Sequence, residues 1–292
     1  MTTGILISVQ EMSGSRHFRC LYIMKQLKLQ HFPARDCRLA LTIVVFLLAC
    51  MQSFGQTAGD WKLEKMPADL EKDFALSSLP PRLRDGATIY LLDPAKGYYM
   101  ARQGTNGFSV LVVRTQWERA EFLPDQYTAI SYDAEMSKLF LPVWFDAAAM
   151  RASGIYSPVQ IRDTIVKRVK NGTYQAPSRE CISYMLCPIS RTVVDKEITN
   201  EVMPHYMFYA PGVENKDIGG AWDNGHSPFA VNSGDILDKE HSIFNLIILP
   251  AGEVEKARII EENKNLLERL AAYKPYFKIE MKPGNAEHHH SS

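Results

Sequence analysis

The chain has 292 residues, with 33 basic and 33 acidic side chains and five cysteines. Residues 56–292 carry 27 basic against 31 acidic residues, a net charge of −4, which speaks against nucleic acid as a partner because phosphate neutralisation requires a basic face. Those 237 residues suffice for a single well-packed domain burying about 70% of its unfolded surface, and the chain shows no repeat or low-complexity tract.

Residues 24–55 have the organisation of an export signal. Lys25, Lys28, Arg35 and Arg38 precede residues 39–49 (LALTIVVFLLA), an apolar run of eleven residues. That length suits a signal-peptide core and falls short of the roughly 20 residues of a membrane span. Two cleavage positions compete. Residues 47–50 (LLAC) resemble a bacterial lipobox, in which Cys50 would be lipidated. Residues 53–55 (SFG) before Gln56 follow the small-x-small rule, and the distance from the apolar core favours this cut. Residues 1–23 stand ahead of a second Met, Met24, with its own basic segment, and read as an upstream misassigned start. The expectation is an exported protein of the periplasm, outer envelope or extracellular space. Its membrane contact would come only through the signal peptide or a lipid on Cys50.

From residue 56 the elements follow in order. Pro67 opens a short helix to about Ser77, with Leu70 and Phe74 as its apolar stripe and Pro80-Pro81 as its stop. Residues 87–92 (ATIYLL), 98–103 (YYMARQ) and 108–114 (FSVLVVR) are rich in β-branched and aromatic residues. With Asn106-Gly107 as a turn signal they predict a three-stranded antiparallel meander. Shorter strands are expected at 128–132 and 139–145, then a short helix at 146–152 ended by Gly154. A better specified helix follows: Ser157 and Gln160 form a capping box around Pro158, Ile161, Ile165, Val166 and Val169 line one face, and Asn171-Gly172 closes it. Three further strands are predicted at 181–187, 205–210 and 244–249. A last helix at 253–273 would bury Val254, Ala257, Ile260, Leu266, Leu267 and Leu270. Residues 283–292 form a polar tail. Runs of strands with inserted helices define an α+β class, a mostly antiparallel sheet flanked by three or four helices in one domain over 56–282.

No nucleotide, hydrolase or metalloprotease motif is present, so candidate chemistry rests on scattered side chains. On a strand, His205, Met207 and Tyr209 share one face and Tyr206 and Phe208 the other. His205, Tyr209 and Trp222 could line a pocket for a small-molecule ligand. His205, Asp217 and His226 could form a two-His-one-carboxylate site for a divalent metal. Cys181 could act as nucleophile with His205 as base, but its place on an apolar strand favours a core thiol. Cys181 and Cys187 would lie about 20 Å apart on one strand, too far for a disulfide, and are expected as free buried thiols. Residues 104–108 (GTNGF) could offer backbone amides to an anion. Asp133 and Glu135 could pair as acid and base, with solvent-exposed loop charges as the plainer reading.

The segments RDGATIYLLDPAKGYYMARQGTNGF (84–108), MPHYMFYAP (203–211) and NKDIGG (215–220) are similar to a group of exported bacterial proteins with no assigned activity. The resemblance spans most of 75–250. It implies one exported bacterial domain and transfers no catalytic residue. The leading expectation is a cell-envelope binding or accessory domain holding a small ligand near His205. The alternatives are a metal-assisted hydrolase or oxidoreductase using His205, Asp217 and His226, and a structural envelope component. Nothing in the pattern sets an oligomeric state.

Overall fold

The computed structural model describes residues 61–194, 197–221, 227–231, 237 and 243–279. The export signal, Cys50, Trp222 and His226 lie outside the described residues. The fold is α+β, with mostly antiparallel pairing. No helix among the described residues is long and apolar enough to cross a membrane.

Helix α1 (Ala68–Ser77) starts directly after Pro67 and buries Leu70 and Phe74. Its last carbonyls are satisfied by hydroxyls, Ser77 Oγ donating to Phe74 O at 2.7 Å and Ser78 Oγ to Ala75 O at 2.6 Å. Pro80 and Pro81 then start the single-turn α2 (Pro81–Arg84), since proline supplies a helical φ and lacks only an N–H that the first turn leaves unpaired.

The first sheet has the order β2-β1-β3-β4, formed by β1 (Thr88–Asp93), β2 (Gly97–Arg102), β3 (Ser109–Val113) and β4 (Thr128–Tyr132). The predicted meander is only half right. β1 and β2 pair antiparallel, but β3 lies on the far side of β1 and runs parallel to it, Thr88 opposite Ser109. The reason is burial. Every residue of β3 is buried, whereas β2 exposes Tyr99 and Met100, so β3 belongs inside the sheet and β2 at its edge. Residues 103–108 therefore cross the end of β1 instead of turning a hairpin. The crossing is tight at Gly104, where a Cβ would fall 2.3 Å from the Thr88 backbone nitrogen. β3 alternates its faces: Leu111 and Val113 enter one core cluster and Val110 and Val112 the other. Both faces of this sheet are thus covered.

The predicted strand at 139–145 is overturned. Those residues lie in α3 (Ala134–Ser153), which runs through Pro142 and ends at Gly154 in the left-handed region, φ +65°. Leu139, Phe140, Leu141, Val143 and Trp144 are all buried. With only a narrow exposed stripe, which falls on apolar Pro142 within this segment, the helix loses the 3.6-residue alternation that would reveal it. Helix α4 (Pro158–Lys170) follows the sequence reading closely, with both capping-box hydrogen bonds present and Ile161, Ile165 and Val169 buried.

The second sheet has the order β5-β8-β10-β9: β5 (Ile182–Met185), β8 (His205–Tyr209), β10 (Leu246–Pro250) and β9 (Phe229–Val231), all antiparallel. A separate two-stranded ribbon joins β6 (Ser190–Val194) to β7 (Glu197–Glu201). Helix α5 (Asn215–Ile218) is a single turn between β8 and β9. β6, β7, β9 and α5 escape the sequence reading, the ribbon because its half-exposed Thr and Glu residues carry little apolar alternation.

The predicted last helix is two, α6 (Gly252–Glu262) and α7 (Lys264–Tyr273), broken at Asn263. The break resets the buried stripe to Ile259, Asn263, Leu266 and Leu270, and Val254, expected inside, is 88% exposed.

The two sheets meet where β4 lies beside β5. Asp133 N–H donates to Ile182 O at 3.1 Å, and Asp133 Oδ2 accepts from Ile182 N–H at 2.9 Å. Ser131 Oγ donates to Tyr184 O at 2.9 Å and accepts from Tyr184 N–H at 3.1 Å. Ser183 Oγ donates to Ser131 O. Side chains thus supply most of a seam that a backbone ladder would otherwise form.

Candidate functional site

β8 has two distinct faces. His205 and Met207 point inward and are buried, with half-buried Tyr209 beside the same cluster. His205 is 4% exposed, and its Nδ1–H donates to Met203 O at 2.7 Å. Burial pushes its imidazole down to about 4, so it is neutral near neutral pH. Asp217 lies in α5, where its carboxylate accepts the Glu214 N–H at 2.9 Å. Among the described residues no three His, Cys, Asp or Glu side chains converge as a metal site.

The cysteines are free and buried, as expected of core thiols. Burial raises Cys181 to about 12 and Cys187 to about 11, which suppresses thiolate formation. Tyr209 N–H donates to Cys181 O, whereas His205 pairs with Met185 at the other end of β8. Four residues of strand, ~13 Å, separate those positions, so the strand register does not assemble a Cys181–His205 dyad.

The other small candidates are spent on structure. Asp133 caps α3, accepting from the Glu135 and Met136 N–H groups as well as from Ile182. Glu135 pairs with Lys138, whose hydrogen bond holds the carboxyl below its usual range. In GTNGF, Gly104 N–H donates to Thr88 Oγ1, the Thr105 and Asn106 N–H groups both donate to Gly86 O, and Phe108 N–H donates to Asn106 Oδ1. Those amides are not left for an anion.

A groove among the described residues opens on the opposite face of β8. Tyr206 and its register partner Tyr184 on β5 stand side by side, their rings edge to face at 5.8 Å and 72°. Phe108 supports Tyr184 from behind at 5.7 Å. Pro80, Pro81 and Arg82 form one wall and Leu186, Glu255 and Arg258 complete a groove of about 460 Å³. That volume lies within the ~300–1,000 Å³ of small-molecule sites. Desolvation raises the Tyr206 phenol above its ordinary value, with Glu255 next in effect, so it remains a protonated donor.

The polar walls are unequal. Arg258 binds both carboxylate oxygens of Glu255, with Nε at 2.9 Å from Oε2, and its remaining nitrogen meets Glu262. Arg82 is exposed and makes no side-chain hydrogen bond or ion pair with another described residue. Sequence reasoning placed Tyr206 on the correct face but missed the groove, since its lining comes from four separate segments.

A second polar cluster, at the first sheet, serves the fold. Arg114 donates to Gln126 O and Pro124 O and stacks over Tyr127 at 3.6 Å. Arg151 donates to Trp61 O, Arg114 O and Thr115 Oγ1 over the Phe122 ring, and its Nη2 finds no partner. Both guanidiniums occupy themselves with carbonyls of irregular segments that no strand or helix pairs.

No protein-family model, no curated protein and no solved structure matches this chain.

Proposed function

We propose that this chain is an exported bacterial cell-envelope protein whose domain binds a small molecule in the Tyr184–Tyr206 groove, as a binding or accessory protein. The observation that carries this is the groove itself. It offers about 460 Å³ of concave space, a paired-aromatic floor and a wall of two prolines. Sites of this kind combine apolar and aromatic lining with a few convergent polar groups. Export rests on the basic-apolar-small order of residues 24–55. Relative to the expectation of a pocket around His205, the binding face moves to the other side of the same strand.

The test is a screen of the full chain against mixed neutral, cationic and anionic fragments by ligand-observed NMR. Bound fragments should be released by Tyr206→Ala and retained by Tyr206→Phe, with unchanged circular dichroism certifying the fold of both. Absence of any binding fragment, or binding indifferent to Tyr206→Ala, overturns the reading.

A further inference from the structure

We infer that the groove takes a planar aromatic ligand bearing one negative charge, an aryl carboxylate being the simplest member, with Arg82 as the residue that reads the anion. This rests on the reading of the groove as a ligand site and adds the ligand's chemistry.

The floor argues for a ring. Tyr184 and Tyr206 stand edge to face, and Pro80, Pro81 and Leu186 add apolar walls without hydrogen-bond donors on their side chains. Such surfaces favour a flat apolar body, which gains from stacked or edge contacts at ring separations of ~4.5–7 Å.

The charges argue for an anion. The ionised lining residues are Arg82, Arg258 and Glu255, a local balance of plus one. Arg258 and Glu255 neutralise each other through a forked, two-point contact, and Glu262 takes the remaining guanidinium nitrogen. Arg258 therefore has little left to offer a ligand, and Glu255 would have to abandon Arg258 to receive a cation. Among the described residues, Arg82 alone of the charged lining groups makes no side-chain hydrogen bond or ion pair. A guanidinium fork matches a carboxylate in two parallel hydrogen bonds. One free guanidinium balances one negative charge, so a dianion would leave a charge uncompensated. The protonated Tyr206 hydroxyl adds a donor beside it.

The experiment uses one ring with three charges: naphthoate, naphthylmethanol and naphthylmethylamine, each titrated into the full chain by isothermal calorimetry. Naphthoate should bind about fivefold tighter than the alcohol, the scale of one partly exposed ion pair, and the amine weakest. Arg82→Gln should erase the preference for naphthoate while leaving the alcohol's affinity unchanged, and Arg82→Lys should retain part of it. Equal affinity for alcohol and carboxylate, or a preference that survives Arg82→Gln, overturns the ligand class and leaves the groove reading standing. Tightest binding of the amine likewise overturns it and points to Glu255. Failure of all three ligands to bind, or binding that Tyr206→Ala does not weaken, overturns both.

Discussion

The two sheets are built from similar residues and used differently. The inner strands of the β2-β1-β3-β4 sheet are covered on both faces, by α3 on one side and by α1, with α7 and Phe277 packed against the same cluster, on the other. The β5-β8-β10-β9 sheet packs one face inward and leaves Phe208 and Leu249 exposed on the other, at 41% and 40%. In the first sheet the inner strands β1 and β3 answer to packing on both sides, and exposure is confined to the edge strand β2. In the second, the outer row is free to answer to something else, and the groove lies in that row.

The sharpest way to break this contrast is to cut equal volume from each sheet's environment. Phe74 is fully buried against the first sheet, edge to face with Phe277 at 6.0 Å. Phe74→Ala should cost about 3–5 kcal/mol, read as a lowered denaturant midpoint at unchanged m. A loss below about 1 kcal/mol would mean that this face is not the tightly packed one.

Acid and alkali should next separate the sheets by sign. His205, on the second sheet, has its folded pKa lowered by burial to about 4 from its ordinary 6.5. Its contribution is present above 6.5 and lost as pH falls towards 4, by at most ~3 kcal/mol. Glu71, under the first sheet, is 2% exposed, and desolvation raises it to about 7 although it accepts the Leu92 N–H. Its contribution is present below about 4.5 and lost as pH rises through 7. His205→Asn should flatten the acid limb of a stability–pH curve and Glu71→Gln the alkaline one. A variant that leaves its own limb unchanged refutes that assignment.

Gly104→Ala comes third. Its Cβ would meet the backbone of residues 86–88, and forcing backbone apart costs about 1–3 kcal/mol. A thermal melt indistinguishable from the parent would show that the crossing loop can yield. Smallest of all should be Phe208→Ser on the bare face, within about 1 kcal/mol. A loss as large as that of Phe74→Ala would erase the contrast between the sheets.

What could be read from the sequence follows the same division. Local signals survived: the Ser157–Gln160 box, the strand at 128–132 and the alternation of 205–209 all reappear. The pattern failed at 139–145, where every position is apolar, including the exposed Pro142, for a reason unrelated to strand geometry. The parallel placement of β3 was hidden because an Asn-Gly pair signals positive φ, which Gly107 has at +79°, without saying which strand comes next. The candidate site was hidden more thoroughly. Arg82, Tyr184, Tyr206 and Arg258 share no spacing, and what unites them is the pairing of β5 with β8 and the return of α6. The thiol candidate drew on residue type alone, and residue type does not report direction.

The seam between β4 and β5 gives the molecule a second kind of joint. Tyr184 presents its ring to the groove while its peptide groups are held by the Ser131 hydroxyl. Hydroxyl-mediated contacts are few and individually weak beside a continuous ladder. The two sheets can therefore open as separate cooperative units, with amide exchange along the seam faster than in the strands that flank it. A molecule resting on Tyr184 would brace that joint from outside. Slowed exchange at Ile182 and Tyr184 would then record occupancy of the groove at atoms the ligand never touches.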